Sequence, residues 1–134
     1  MKYLLDTNAC IRYINGRAPR LRAKMATVAR SEIAVSIISK AEMYYGSAKS
    51  QTPRRSREKQ IEFLQTIATL PFDELSAVEY GGLRRNLEVV GTPIGGNDML
   101  IAASAILKIG LKNSKFSPPQ TGNHPGNSPR IIGK

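Results

Sequence analysis

The chain has little of what disulfide-stapled, membrane-spanning or zinc-binding proteins are built from. Its 134 residues include one cysteine, Cys10, and one histidine, His124. A single thiol excludes an internal disulfide and a cysteine-based zinc site, and it makes a reducing cytoplasm the expected compartment. No apolar run approaches the roughly 18–20 residues that cross a bilayer, so no membrane is expected. The opening Met1-Lys2-Tyr3-Leu4-Leu5-Asp6 reaches an acid after three apolar residues, which is not the pattern of a secretory signal. The length suits one hydrophobic core, and an apolar fraction of 41% is near the globular range.

Acids are scarce too. Ten Asp and Glu face twenty Lys and Arg, a formal charge of +10. Arg12, Arg17, Arg20, Arg22, Lys24 and Arg30 fall in a stretch without one acid. Lys49, Arg54, Arg55, Arg57 and Lys59 form a second cluster broken only by Glu58, and no acid follows Asp98. Such a field attracts polyanions, of which nucleic acid is the commonest in a cell. An acidic protein would answer to the same field, and basic helix faces can also be merely solvated.

Periodicity and punctuation predict an alternation of strands and helices. Lys2–Leu5 reads as a buried first strand ending at Asp6, followed by a helix from Thr7-Asn8 to Tyr13 or Ile14 that Asn15-Gly16 stops. A helix from Pro19 to about Arg30 precedes a second strand at Ile33–Ile38. Ser39-Lys40-Ala41-Glu42 has the spacing of a capping box and is expected to open a helix to about Ala48. The basic stretch around Pro53 reads as a loop, and Ser56 or Arg57 to Ala68 as a helix. Leu70-Pro71-Phe72 sits where a third strand would pair. A second capping box, Ser76–Glu79, predicts a helix to about Val90, and Asn97 caps a last helix, Asp98–Lys108, stopped by Gly110. The expected fold is α/β, a mainly parallel central sheet flanked by helices.

Three acids fall at element boundaries: Asp6 at a strand end, Glu42 and Asp98 in first helical turns. In an open parallel sheet, strand carboxyl ends and the following helix amino ends share the edge where ligands bind, so the three can converge there. Each also has a structural reading, as a cap or as a helix-dipole partner. Together they would repel unless a cation sits among them. Oxygen ligands with no cysteine and one histidine favour Mg²⁺, or Mn²⁺, over zinc. Such an ion activates water and polarises a phosphoryl oxygen. An aspartyl phosphotransferase of the haloacid-dehalogenase type is disfavoured, because it wants a second Asp where Asn8 stands.

The blocks carrying these acids are Tyr3-Leu4-Leu5-Asp6-Thr7-Asn8, Val35-Ser36-Ile37-Ile38-Ser39-Lys40-Ala41-Glu42-Met43-Tyr44-Tyr45-Gly46, and Gly91-Thr92-Pro93-Ile94-Gly95-Gly96-Asn97-Asp98-Met99-Leu100-Ile101-Ala102-Ala103. In this order and at these separations they resemble the PIN-domain ribonucleases, most of all the VapC-type toxins of prokaryotic toxin–antitoxin pairs. The resemblance covers about residues 1–110, a PIN-like nuclease domain. It implies that Asp6, Glu42 and Asp98 are catalytic metal-binding residues, with Asn8 and Asn97 as polar neighbours that orient substrate or water. It further implies endonucleolytic cleavage of RNA, a homodimer and a cognate acidic antitoxin.

The sequence departs from that family after residue 110. Relatives continue from the last long helix into a β-strand and a polar turn with another acid or amide. Here Ile109-Gly110-Leu111 runs into a basic tail, with four of the eight prolines between residues 113 and 129. Residues 111–134 are therefore expected to be irregular, the C-terminal strand lost or altered, with Asn113 a candidate remnant of the turn. That departure leaves a second reading open, a catalytically impaired PIN-fold remnant that binds RNA or antitoxin without turnover.

Overall fold

The computed structural model describes residues 2–91, 95–112 and 130–132. The turn at 92–94, Asn113, His124 and the segment 113–129 lie outside the described residues. The described residues form two units, one made of 2–70 with 130–132, the other of 71–91 with 95–112.

The first unit is built on short strands β1 (Tyr3–Leu5), β2 (Ile33–Ser36), β3 (Ala68–Leu70) and β4 (Arg130–Ile132). All pair in parallel, in the order β3-β2-β1-β4. Leu5 stands opposite Val35 on one side and Ile132 on the other. β2 is buried along its whole length, as expected of an interior parallel strand. Between the strands run α1 (Thr7–Ile14), α2 (Pro19–Ala26), a short 3-10 turn (Arg30–Glu32), α3 (Ile37–Ala48) and α4 (Pro53–Leu64). Leu5, Ala9, Cys10, Met25, Ile33, Val35, Met43, Phe63, Leu64 and Ile67 form the core. Tyr13 packs its ring 4.7 Å from Phe63 and carries the Arg22 guanidinium 4.4 Å above its own. Tyr44 packs against this core, whereas its neighbour Tyr45 is exposed.

Several boundaries differ from the sequence reading, each for a local reason. The stretch around Pro53 is not a loop but the first turn of α4, since proline's fixed φ suits the first helical position. α4 stops at Leu64 rather than Ala68 because Ala68 and Thr69 pair with β2. α2 likewise ends at Ala26, where Thr27 Oγ1 turns back to the Lys24 carbonyl at 2.7 Å. Asn15-Gly16 does close α1, with Gly16 at φ +69°, a conformation that favours glycine.

The second unit pairs α5 (Glu74–Val89) with α6 (Gly96–Lys112). The expected capping box at Ser76–Glu79 is not the start of α5. Asp73 is the cap, its Oδ1 accepting from both the Ser76 amide and the Ser76 hydroxyl at 3.0 Å. α6 runs past Gly110 to Lys112. Of the segment 111–134, expected to be irregular, the described residues are 111–112, which belong to α6, and 130–132, which form β4.

Candidate active site

Because the strands are all parallel, their carboxyl ends share one edge. The chain steps outward from β1 to β2 and β3, then returns to the other flank of β1 with β4. The β1–β4 boundary is therefore the switch point of the sheet, where open parallel sheets leave a crevice beyond the strand ends. Asp6 is the first residue past β1 and sits at that boundary.

Asp6 is 7% exposed and serves as the N-cap of α1. Its Oδ1 accepts the Ala9 amide at 2.8 Å. Its carbonyl accepts from the Cys10 amide at 3.1 Å, and its own amide donates to the Ile132 carbonyl at 3.0 Å. One cap bond uses part of what a carboxylate can accept. No Lys or Arg ion-pairs with it among the described residues.

The charge of Asp6 is felt one turn on. Burial, and then Asp6, push the Cys10 thiol from 9.0 up to about 12. The thiol therefore stays protonated and inert in the folded protein. Between pH 9 and 12 the unfolded chain releases this proton and the folded one keeps it, so stability should fall as pH rises through that window. Urea melts at pH 8 and pH 10 check this: Cys10→Ala should show a smaller loss between the two than wild type.

Glu42 changes its meaning in the structure. The expected box beginning at Ser39 does not exist, because Ser36 caps α3 three residues earlier, with its Oγ accepting the Ile38 amide at 3.1 Å. Glu42 lies in the second turn, too far along to cap anything. It is half-buried and has no ion pair among the described residues. The structural reason for a glutamate at this position is thereby removed.

Two hydroxyls that the sequence reading passed over belong to the same edge. Thr7 Oγ1, beside Asp6, and Ser39 Oγ, in the first turn of α3, are buried without a hydrogen-bond partner among the described residues. The sequence signal was position: Thr7 follows Asp6, and Ser39 stands three residues before Glu42. Asn8 is exposed in the first turn of α1.

Asp98 belongs to the second unit. It is half-buried in the first turn of α6, where the helix dipole favours a carboxylate. Asn97 is exposed and already inside the helix rather than its cap. The Met99 amide bonds the Gly95 carbonyl at 3.0 Å, which makes Gly95 the cap position. The described residues hold no group of three or more His, Cys, Asp or Glu placed to bind an ion.

Comparison with known proteins points one way. The sequence model of the PIN domain matches residues 3–111. Ribonuclease VapC2 of Rickettsia felis is 37% identical over 107 residues, 79% of this chain and 80% of that protein. The tRNA(fMet)-specific endonuclease VapC of Salmonella typhimurium is 32% identical over 105 residues, covering 78% and 79% respectively. Among solved structures, VapBC2 from Rickettsia felis bound to a promoter DNA fragment superposes with a TM-score of 0.74 at 35% identity, covering 81% of this chain and 82% of that one. With the matched segment holding Asp6, Glu42 and Asp98 in sequence order, the chain belongs to the PIN-domain family, among the VapC ribonucleases.

Proposed function

We propose that the protein is a Mg²⁺-dependent endoribonuclease, the toxin of a VapBC-type pair, hydrolysing RNA phosphodiester bonds. The observation that carries this reading is Asp6, a carboxylate 7% exposed at the switch point of a parallel sheet, with no ion-pairing cation among the described residues. Buried charges are paired or coordinate metals. The donor set fits a hard cation: Asp6, Glu42 and Asp98 as its carboxylates, with the orphaned hydroxyls of Thr7 and Ser39 beside the first two. Mg²⁺, or Mn²⁺ in its place, supplies water activation and charge neutralisation at the phosphoryl group.

The protein's own residues bind and orient the substrate. Arg20, Arg22 and Lys24 on α2, with Arg55, Arg57 and Lys59 on α4, hold backbone phosphates by charge, which makes binding fall with salt. Asn8 and Asn97 are exposed in the first turns of α1 and α6 and, in this reading, hydrogen-bond RNA or water. The same positive surface suits an acidic antitoxin, and the solved relatives include VapBC complexes. A homodimer has apolar surface to use, with Ile37 and Tyr45 exposed on α3.

The test is cleavage of structured RNA by purified protein in Mg²⁺ or EDTA, beside Asp98→Asn. Initiator tRNA comes first, since the Salmonella typhimurium relative is a tRNA(fMet)-specific endonuclease. Cleavage should disappear with EDTA and with the substitution. Failure of folded wild-type protein to cut any RNA class would overturn the reading in favour of a fold that only binds.

A further inference from the structure

Asp6 is tied down by three bonds, and they are not equivalent. The Ala9 and Cys10 bonds lie within the first turn of α1 and move with that helix. Among the described residues, only the bond from the Asp6 amide to the Ile132 carbonyl, 3.0 Å long, joins Asp6 to a neighbouring strand. It is a ladder bond of the Leu5–Ile132 pair, its donor standing one residue past Leu5. The Ile132 side chain, half-buried, packs onto the core formed by Leu5, Met25 and Ile33 among others. The family match ends at residue 111, so β4 comes from sequence that the match does not cover.

From this we infer that Arg130–Ile132 is a positioning element for the nuclease site, with Ile132 its central residue. Ile132 touches neither RNA nor metal in this role. Its carbonyl fixes the backbone of Asp6 at the switch point, and its side chain anchors that carbonyl to the core. The inference rests on the reading of Asp6 as a metal carboxylate. A tail of this composition would otherwise be expected to contribute nothing to catalysis.

The experiment uses the full chain. Amide hydrogen exchange should show the Asp6 N–H protected in wild type, as an interior ladder bond is. Ile132→Pro removes a ladder donor and should disrupt the pairing. In that variant, protection at Asp6 should be lost while Val35 in β2 keeps its own. Mn²⁺ should bind more weakly by titration, and kcat for RNA cleavage should fall roughly 10–100-fold with KM little changed, the pattern of a misplaced catalytic group. Ile132→Val should restore all three.

If Ile132→Pro does not fold, Ile132→Gly keeps the N–H and carbonyl but gives up the anchor. It should speed Asp6 exchange and weaken Mn²⁺ binding together. An unprotected Asp6 amide in wild type, or a folded Ile132→Pro with unchanged Mn²⁺ affinity and kcat, overturns the inference. If wild type cuts no RNA, the nuclease reading fails instead, and exchange with Mn²⁺ titration still decides the role of β4.

Discussion

Replacing Asp6 by asparagine should leave the protein as stable as wild type and reduce RNA cleavage on the order of 10²–10³-fold, the loss typical of removing one strong electrostatic contact from a reacting centre. The two halves of that expectation come from the two uses of one side chain. As a cap, Asp6 accepts the Ala9 amide through Oδ1, and an asparagine carbonyl oxygen does this as well as a carboxylate. As a metal ligand it needs the charge, which asparagine lacks. Alanine separates the roles further: Asp6→Ala should lose activity and also about 1 kcal/mol of stability, the usual worth of a helix cap. The comparison requires urea denaturation and cleavage rates on the same three proteins. Full activity in a folded Asp6→Asn would remove this residue from the chemistry and leave it a cap.

The largest stability effect is expected at Leu5→Ala, about 2–5 kcal/mol by the usual range for buried leucines. Leu5 is fully buried in the core, on the strand that has partners on both sides. Truncation there loses transfer free energy and leaves a cavity that rigid flanking strands cannot collapse. Since domains of ordinary size are stable by about 5–15 kcal/mol, the variant should be close to unfolding at physiological temperature. Leu5→Ile, which conserves volume, should cost less than about 1.5 kcal/mol. Midpoints of urea unfolding at unchanged slope give the ranking, and near-equal midpoints for Leu5→Ala and wild type would mean that this strand is not the centre of the core.

Much of this was legible in the sequence, because the signals were local. Tyr3-Leu4-Leu5 followed by Asp6 reads as a strand and a cap without any tertiary knowledge, and so does the Asn15-Gly16 stop. The second strand was visible from its apolar, β-branched run, although read as Ile33–Ile38, two residues into what becomes α3. The readings that failed involved residues with two plausible local roles. Ser39 and Glu42 have the spacing of a capping box, yet Ser36 caps first and buries Ser39 inside the helix. Ala68 suits a helix by propensity, but pairing with β2 takes it into a strand. Pro53 signals a break, and a break is also where a helix begins. For the site, Asp6 and Asp98 were identifiable as boundary residues, Glu42 was read as one but stands in the second turn of α3, and the unsatisfied hydroxyls of Thr7 and Ser39 depend on burial, which no spacing reports. β4 was illegible for the same reason, since three residues beyond a proline-rich segment carry no periodicity of their own.

The pairing of β1 with β4 also has a consequence in time. Tyr3 and Arg130 are opposite one another in the sheet although 127 positions separate them, the difference of their numbers. Closing so long a loop costs entropy before any contact repays it, and contacts of this range form late in folding. On a ribosome, β1 can meet β2 as soon as some forty residues have emerged, roughly the span from Tyr3 to Val35 with the next turn. It must then wait for residue 132. Asp6 is synthesised 126 positions before Ile132, the difference of their numbers, and is expected to be among the last residues fastened, so an incompletely made chain would carry the carboxylate without the bond that holds it in place. For a nuclease borne by the cell that makes it, the order of synthesis would then delay the enzyme's competence until β4 has emerged.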